Sequence, residues 1–316
     1  MEDFKTPTPL VELHEFSPFV QVYLKRDDLI HPLISGNKWR KLKYNIAHIK
    51  ELSKETIVTK GGPYSNHIAA VATIANLNGL KSLGIIRGEK PKVSGFTLKL
   101  AEKMGMELHF VSREDFSKED FQAKYADEEN CYFVVEGGSN QEGVRGCREI
   151  VEELQGQTSL DGAIIALSGG TGGTTAGIAQ ALSPENQIYC FSALKGTWLH
   201  GDIEAMAGRK LPNLKVIDAY CQGGYAKTSK ELIDFINAFY EQYHIPLDPV
   251  YTGKMMLGLK KMLSTPQVEN ISKVIAIHTG GLQGAFGMVE QGLGIDWVVD
   301  EDCVEAQLIL QSCTFL

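Results

Sequence analysis

Basic residues are in short supply in this chain of 316 residues: 31 Lys and Arg against 39 Asp and Glu leave a formal net charge of −8. A surface that tracks nucleic-acid phosphates needs the opposite balance, which argues against nucleic acid as a partner. No apolar run approaches the length of a bilayer span, so no membrane role is expected. The start, Met1-Glu2-Asp3-Phe4-Lys5, lacks the basic-then-apolar pattern of a signal peptide, and a cytoplasmic location is the expectation. Cysteine is sparse and scattered (Cys131, Cys147, Cys190, Cys221, Cys303, Cys313), with no Cys-x-x-Cys pair and no histidine at metal-ligand spacing. Reduced thiols are therefore expected, without a disulfide framework or a structural zinc site. There is no internal repeat and no low-complexity tract.

What is present is an ordinary globular composition, 43% hydrophobic and 22% charged, in a chain long enough for two lobes or one large α/β domain. Strand-like runs alternate with helix-like segments. Val20 to Asp28 reads as a strand ending in a polar turn before a helix over 38–50. Ile57-Val58-Thr59 precedes an alanine-rich helix over 67–77, and Ser82 to Ile86 precedes a helix near 97–104. Further strands are read at 107–111, 132–135, 163–167, 188–192 and 274–278, with a helix over 174–182. Strands apolar on both faces, separated by helices, predict a largely parallel sheet covered by helices. Gly137-Gly138-Ser139-Asn140 is a candidate crossing point between lobes.

Five segments carry candidate chemistry. In Ser35 to Lys41, Lys38 opens a helix beside a Gly-Asn turn. Unsatisfied N–H groups, the positive end of the helix dipole and burial all disfavour an ammonium ion there, and an uncharged lysine is a nucleophile toward an aldehyde. A solvated, inert lysine is the plainer reading of that position. Ser168 to Gly177 follows a buried strand and opens a helix, so its N–H groups and threonine hydroxyls suit a phosphate. A dinucleotide would need an acidic residue closing the next strand, which instead ends Ser192-Ala193; a purely structural glycine turn is the other alternative. Gly61 to His67 suits either a helix N-cap at Ser65-Asn66 or a bound carboxylate or phenolate. Leu247 to Lys254 contains Tyr251, either an acid–base group or a half-buried aromatic with a satisfied hydroxyl. His278-Thr279-Gly280-Gly281 ends the last strand, where open α/β sheets bind ligands. His31, His48 and His67 make no convincing metal set.

Together with Thr6 to Leu10 and Lys25-Arg26-Asp27-Asp28, these segments resemble the fold-type II family of pyridoxal-phosphate enzymes, in order and over nearly the whole chain. More narrowly they are similar to its 1-aminocyclopropane-1-carboxylate deaminase and D-cysteine desulfhydrase branch. The resemblance implies a tryptophan synthase β-like α/β fold of two open twisted lobes with mostly parallel sheets. A larger cofactor-binding lobe would use residues 1–44 and 146–316, and a smaller inserted lobe residues 45–145. It implies pyridoxal 5′-phosphate as cofactor, a small amino acid as substrate and a homodimer. Lys38 matches the Schiff-base lysine. Lys41 with Thr171, Gly172, Gly173 and Thr174 matches the phosphate site, and Asn66 the residue bonding the pyridoxal 3′-oxygen. Ser65, with the N–H groups of Asn66 and His67, matches the substrate carboxylate site, and Tyr251 an active-site tyrosine.

Two positions bear on activity. Deaminases of the branch resemble one another in Glu after that tyrosine and Leu before the last Gly-Gly, where this chain has Thr252 and Thr279. A carboxylate beside the pyridine nitrogen would hold a proton there and strengthen the electron sink. Threonine leaves a weaker sink, enough to expel a thiolate from Cβ. The implied reaction is β-elimination and deamination, with D-cysteine giving pyruvate, ammonia and sulfide. Lys38 would remove the Cα proton and Tyr251 protonate the leaving group. The alternatives are the cyclopropane-opening deaminase, a non-catalytic binder of the cofactor or an amino acid, and a dinucleotide-binding oxidoreductase. The chain departs from its relatives at Tyr64, where Gln is usual, at Ile68-Ala69-Ala70 and in the short stretch 87–96. Tyr64 thereby becomes a candidate wall of the substrate site.

Overall fold

A computed structural model describes residues 4–126, 128–196, 198–265, 271 and 273–314. The strands are β1 (Leu10–Glu12), β2 (Gln21–Lys25), β3 (Thr56–Gly61), β4 (Lys81–Arg87), β5 (Met106–Val111), β6 (Cys131–Val134), β7 (Ala163–Gly169), β8 (Gln187–Ser192), β9 (Leu214–Ile217) and β10 (Lys273–Ile277). They form a 6-stranded sheet in the order β1-β2-β10-β7-β8-β9 and a 4-stranded sheet in the order β5-β4-β3-β6. Every pairing is parallel except β1 with β2. β7, Ala-Ile-Ile-Ala-Leu-Ser-Gly, is buried along its whole length, as a strand covered on both faces must be. The α/β class and the two mostly parallel sheets hold.

Strand order dictates where a ligand binds. From β7 the chain steps outward to β8 and β9, then β10 returns to the other side of β7. From β3 it steps to β4 and β5, then β6 returns to the other side of β3. Each sheet therefore has one point where the winding reverses, and the connections beyond the carboxyl ends diverge there to leave a crevice. The loops after β7 and β10 flank one crevice, and those after β3 and β6 flank the other.

The helix carrying Lys38 spans Asn37–Glu51. It starts where it does because Gly36 holds φ +58°, and a Cβ there would fall 2.0 Å from the carbonyl oxygen of Thr279. That approach lets the Asn37 N–H donate to Thr279 O at 3.2 Å, tying the helix start to the end of β10. Buried charges fix the same region. Asp27 accepts from Thr8 Oγ1 (2.7 Å) and from Arg40 Nε and Nη2 (3.1 and 3.0 Å). Arg40 also donates to Glu153 Oε1 at 2.6 Å, and Lys25 Nζ lies 2.7 Å from Glu153 Oε2. The run Val20–Asp28, expected as a strand ending in a polar turn, is β2 to Lys25 followed by a 3-10 turn over Asp27–Ile30.

Local pattern did not reveal β1, a 3-residue antiparallel edge, β9, a 4-residue edge strand, or the helices Gln141–Gln157, Trp198–Ala207 and Lys230–Tyr243. The expected polar helix before β6 is two short ones, Arg113–Lys118 and Phe121–Ala126. The side chain of Cys313 lies outside the described residues; Cys131, Cys147, Cys190, Cys221 and Cys303 are free thiols.

Candidate active site

The two crevices face one another across a cavity of about 540 Å³. Its walls include Lys38, Lys41, Tyr64, Ser65, Asn66, His67, Thr171, Gly172, Thr174, Tyr251 and Thr279, so nearly all the residues singled out from the sequence converge on one space. Gly173 and Thr252 are not among the lining residues. Gly173 heads the helix Gly173–Ala181 directly behind the wall. Thr252, expected beside the cofactor, is fully buried, and its hydroxyl donates to Asp248 Oδ1 at 2.8 Å.

The helix Asn37–Glu51 supplies one wall. Positions i and i+3 share a helix face, so Lys38 and Lys41 are presented together. Lys41 Nζ donates to Gly137 O (3.0 Å) and Ser139 Oγ (3.1 Å), and burial lowers its pKa. Among the described residues the Lys38 amine makes no hydrogen bond or ion pair. Burial, then the charge on Lys41, lowers its pKa from the ordinary 10.5 to about 7. At neutral pH a large share of Lys38 is therefore an uncharged nucleophile. Condensation of Lys38 with a small aldehyde should accelerate as pH rises and level off above about 7, whereas an ordinary lysine keeps gaining toward 10.5. Stopped-flow absorbance across pH 5–10 reads this directly.

The loop after β7 supplies a second wall. Gly172 at φ +83° caps Gly173–Ala181, turning the first helical N–H groups toward the cavity. A Cβ at Gly172 would meet Ile203 at 2.7 Å in a conformation that L-residues rarely adopt. Thr171 Oγ1 lies 2.5 Å from Ser139 Oγ, and Asn37 Nδ2 donates to Thr174 Oγ1 at 3.1 Å. The helix-start N–H groups, the hydroxyls and Lys41 make this corner rich in donors and poor in acceptors, which suits a dianion.

The turn after β3 supplies the third. Ser65 caps the helix Asn66–Leu77, accepting from the His67 N–H at 3.3 Å, which leaves its own hydroxyl hydrogen free to donate. His67 is held as one tautomer. Thr59 Oγ1 donates to Val134 O at 2.7 Å, so it must accept from His67 Nε2 at 2.9 Å. Its Nδ1 is thus a bare acceptor, buried without a partner, as is Asn66 Oδ1. Burial, then Lys38 and Lys41, keeps the imidazole neutral by pushing its pKa well below 6.5. Tyr64 is 47% exposed at the rim.

The last wall joins the end of β10 to Tyr251. Thr279 Oγ1 and Ser168 Oγ lie 3.1 Å apart. The Asp248 carboxylate accepts from the N–H groups of Val250, Tyr251 and Thr252, each at 2.8 Å, which aims Tyr251 inward. Burial, then pairing with Tyr225, raises the Tyr251 pKa well above 10.0, so the phenol stays protonated as a donor. The two rings meet edge-on with centroids 6.1 Å apart. Tyr225, Arg87, Arg113 and Glu136 also line the cavity and were not anticipated. The local signal that bears on them is position: Arg87 closes β4, and Glu136 and Arg113 lie two residues beyond β6 and β5.

A family model described as pyridoxal-phosphate dependent enzyme matches residues 1–280. A bifunctional D-cysteine desulfhydrase/1-aminocyclopropane-1-carboxylate deaminase of Arabidopsis thaliana is 30% identical over 302 residues, covering 86% of this chain and 75% of that protein. A putative 1-aminocyclopropane-1-carboxylate deaminase of Thermotoga maritima is 31% identical over 303 residues, covering 89% of this chain and 95% of that one. Among solved structures, an ACC deaminase homologue superposes with a TM-score of 0.78 at 27% identity, covering 92% and 94% of the two chains.

Proposed function

Because this chain belongs to the pyridoxal-phosphate-dependent enzyme family, in its fold-type II branch of deaminases and desulfhydrases, we propose that it performs β-elimination on a small amino acid, with D-cysteine as substrate. D-cysteine and water would give pyruvate, ammonia and hydrogen sulfide. The lining fits the cofactor: an unpaired neutral amine at Lys38, a dianion corner at Lys41 and Thr171 to Thr174, and orphaned acceptors at Asn66 and His67. Bound there, pyridoxal phosphate supplies an electron sink for the pair released at the substrate Cα. Ser65 Oγ, through its free hydroxyl hydrogen, and the Asn66 N–H hold the substrate carboxylate at a helix start, joined by the His67 N–H once it exchanges its cap bond to Ser65 for the ligand. Lys38 Nζ takes the Cα proton. Tyr251 Oη gives a proton to the departing sulfur. The larger lobe of residues 1–44 and 146–316 and the inserted lobe of 45–145 belong to this reading; the 4-stranded sheet, confined to strands between 56 and 134, supports them.

The observation carrying this reading is the placement in one cavity of a buried lysine amine without a hydrogen-bond partner among the described residues, its pKa lowered to about 7, and a buried tyrosine that stays protonated. The choice of leaving group rests on the Ser168–Thr279 hydroxyl pair, since Glu136 is the one carboxylate in the lining. Cyclopropane ring opening is the second reading, favoured by the same protonated Tyr251. Purified protein assayed with D-cysteine and with 1-aminocyclopropane-1-carboxylate should release sulfide from the first much faster than 2-oxobutyrate from the second. The reverse ratio would replace the first reading with the second.

A further inference from the structure

The cation content of the cavity exceeds what the proposed reaction uses. Lys38 does the chemistry and Lys41 faces the dianion corner. That leaves Arg87 and Arg113 on the opposite side, with Glu136 as the lining's carboxylate, in a protein of net charge −8. Arg87 is the last residue of β4, in register with Val111 at the end of β5, and Arg113 follows two residues later. Both side chains thus stand at the carboxyl ends of adjacent parallel strands. Neither guanidinium makes an ion pair or a hydrogen bond among the described residues.

Arg87 is nonetheless held in place. Its Cζ lies 5.6 Å from the centre of the Phe116 ring, and Lys60 Nζ stands 4.8 Å from the same ring. Its Nη2 packs beside Gly62, 3.4 Å from where a Cβ would be, at the start of the turn that carries Ser65. Arg87 is an exposed residue whose charge is felt by Glu136: burial raises that carboxyl's pKa and Arg87 lowers it, without a direct ion pair between them. A guanidinium set over an aromatic ring with its hydrogen-bonding edge unused is suited to a planar or tetrahedral oxyanion.

We propose that Arg87 and Arg113 bind a second, anionic group on the side chain of the substrate, so that the cavity prefers small amino acids bearing a carboxylate, sulfonate, sulfate ester or phosphate ester beyond the α-carboxylate. This rests on the β-elimination reading, not on D-cysteine, whose side chain carries charge only as the departing thiolate; it widens the substrate class to acids that bear the anion already when bound. For a phosphate ester the step balances as follows. The Cα–H bond breaks and its proton goes to Lys38 Nζ, while the Cβ–O bond breaks and its electron pair leaves with inorganic phosphate. Water hydrolyses the released 2-aminoacrylate to pyruvate and ammonia. A group that departs as an anion gains most from fixed cations nearby.

Two measurements test it. In the holoenzyme, kcat/KM for O-phosphoserine divided by that for β-chloroalanine, in both enantiomers, should fall about 10- to 100-fold in Arg87→Gln and in Arg113→Gln, the range of a charge-assisted contact. Arg87→Lys should recover part of the loss, Glu136→Gln should raise the ratio, and added salt should lower it. A ratio unchanged in both Gln variants overturns the inference, including the case in which Arg87→Gln slows both substrates alike by acting on the shared α-carboxylate. The second readout needs no turnover: aspartate, which carries a second carboxylate and no β-leaving group, should raise the melting midpoint more than alanine does, and the Gln variants should erase the difference. Absence of elimination from every substrate would sink the reaction but leave this binding test standing; equal shifts with aspartate and alanine would sink the anion site alone.

Discussion

Lys38→Ala should lower turnover by at least about 10³-fold, since it removes both the nucleophilic amine and the base that takes the Cα proton, and general-base removal alone is worth roughly 10²–10⁴. Cofactor fixed to the protein by borohydride should vanish with it, which separates a lost attachment from a lost base. Misfolding is a poor explanation for such a loss. The amine has no hydrogen-bond partner among the described residues, and burial drives its pKa down, so burying it opposes folding. The cofactor-free variant should therefore melt no lower than the parent. Turnover within tenfold of the parent would remove Lys38 from the mechanism.

Asp27→Ala should be among the most destabilising single changes in the chain, at about 3–5 kcal/mol, because it strands a buried charge. Asp27 and Arg40 are both fully buried. The carboxylate holds the Thr8 hydroxyl and two guanidinium nitrogens, and it raises the arginine pKa by its charge. Glu153 would remain as Arg40's counterion but cannot fill the vacated side. Asp27→Asn, which keeps the shape and one acceptor, should lose less. An exposed pair such as Lys230–Asp234, at 2.6 Å, is the control, with under about 1 kcal/mol expected on breaking it. Chemical denaturation of all three variants checks the order; an Asp27→Ala loss no larger than the surface control would show that Arg40 re-pairs freely. The 3-10 turn and Gly36 sit on this network, the Gly36 N–H donating to Asp27 O at 2.8 Å, so activity should fall alongside stability.

Legibility followed the range of the physics. The buried strand 163–167 and the helices opening at 38 and 174 are written in local apolar pattern and glycine turns, and each appears within a few residues of expectation. β1 and β9 escaped because 3- and 4-residue edge strands carry too little periodicity. The hold of Asp248 on the Thr252 hydroxyl went unread, although an aspartate four residues before a helix-opening threonine is a turn signal. Arg87, Arg113 and Tyr225 left no such trace. What joins them is sheet order and the packing of the 218–229 loop, where Lys254 Nζ pins the carbonyls of Cys221 and Gly224 at 2.9 and 2.8 Å.

The reversal of winding in each sheet has a consequence for how such a protein can diversify. Lys38, the glycine loop after β7 and the end of β10 surround one reversal, whereas Arg87 and Arg113 hang from β4 and β5, the two strands on one side of the reversal in the other sheet. Substitutions, insertions and deletions at the ends of β4 and β5 alter what is admitted without touching the lysine or the dianion corner. Chemistry and selectivity are thereby free to drift at different rates, and a donor segment spanning 87–113 is the natural unit of exchange between relatives that act on different amino acids.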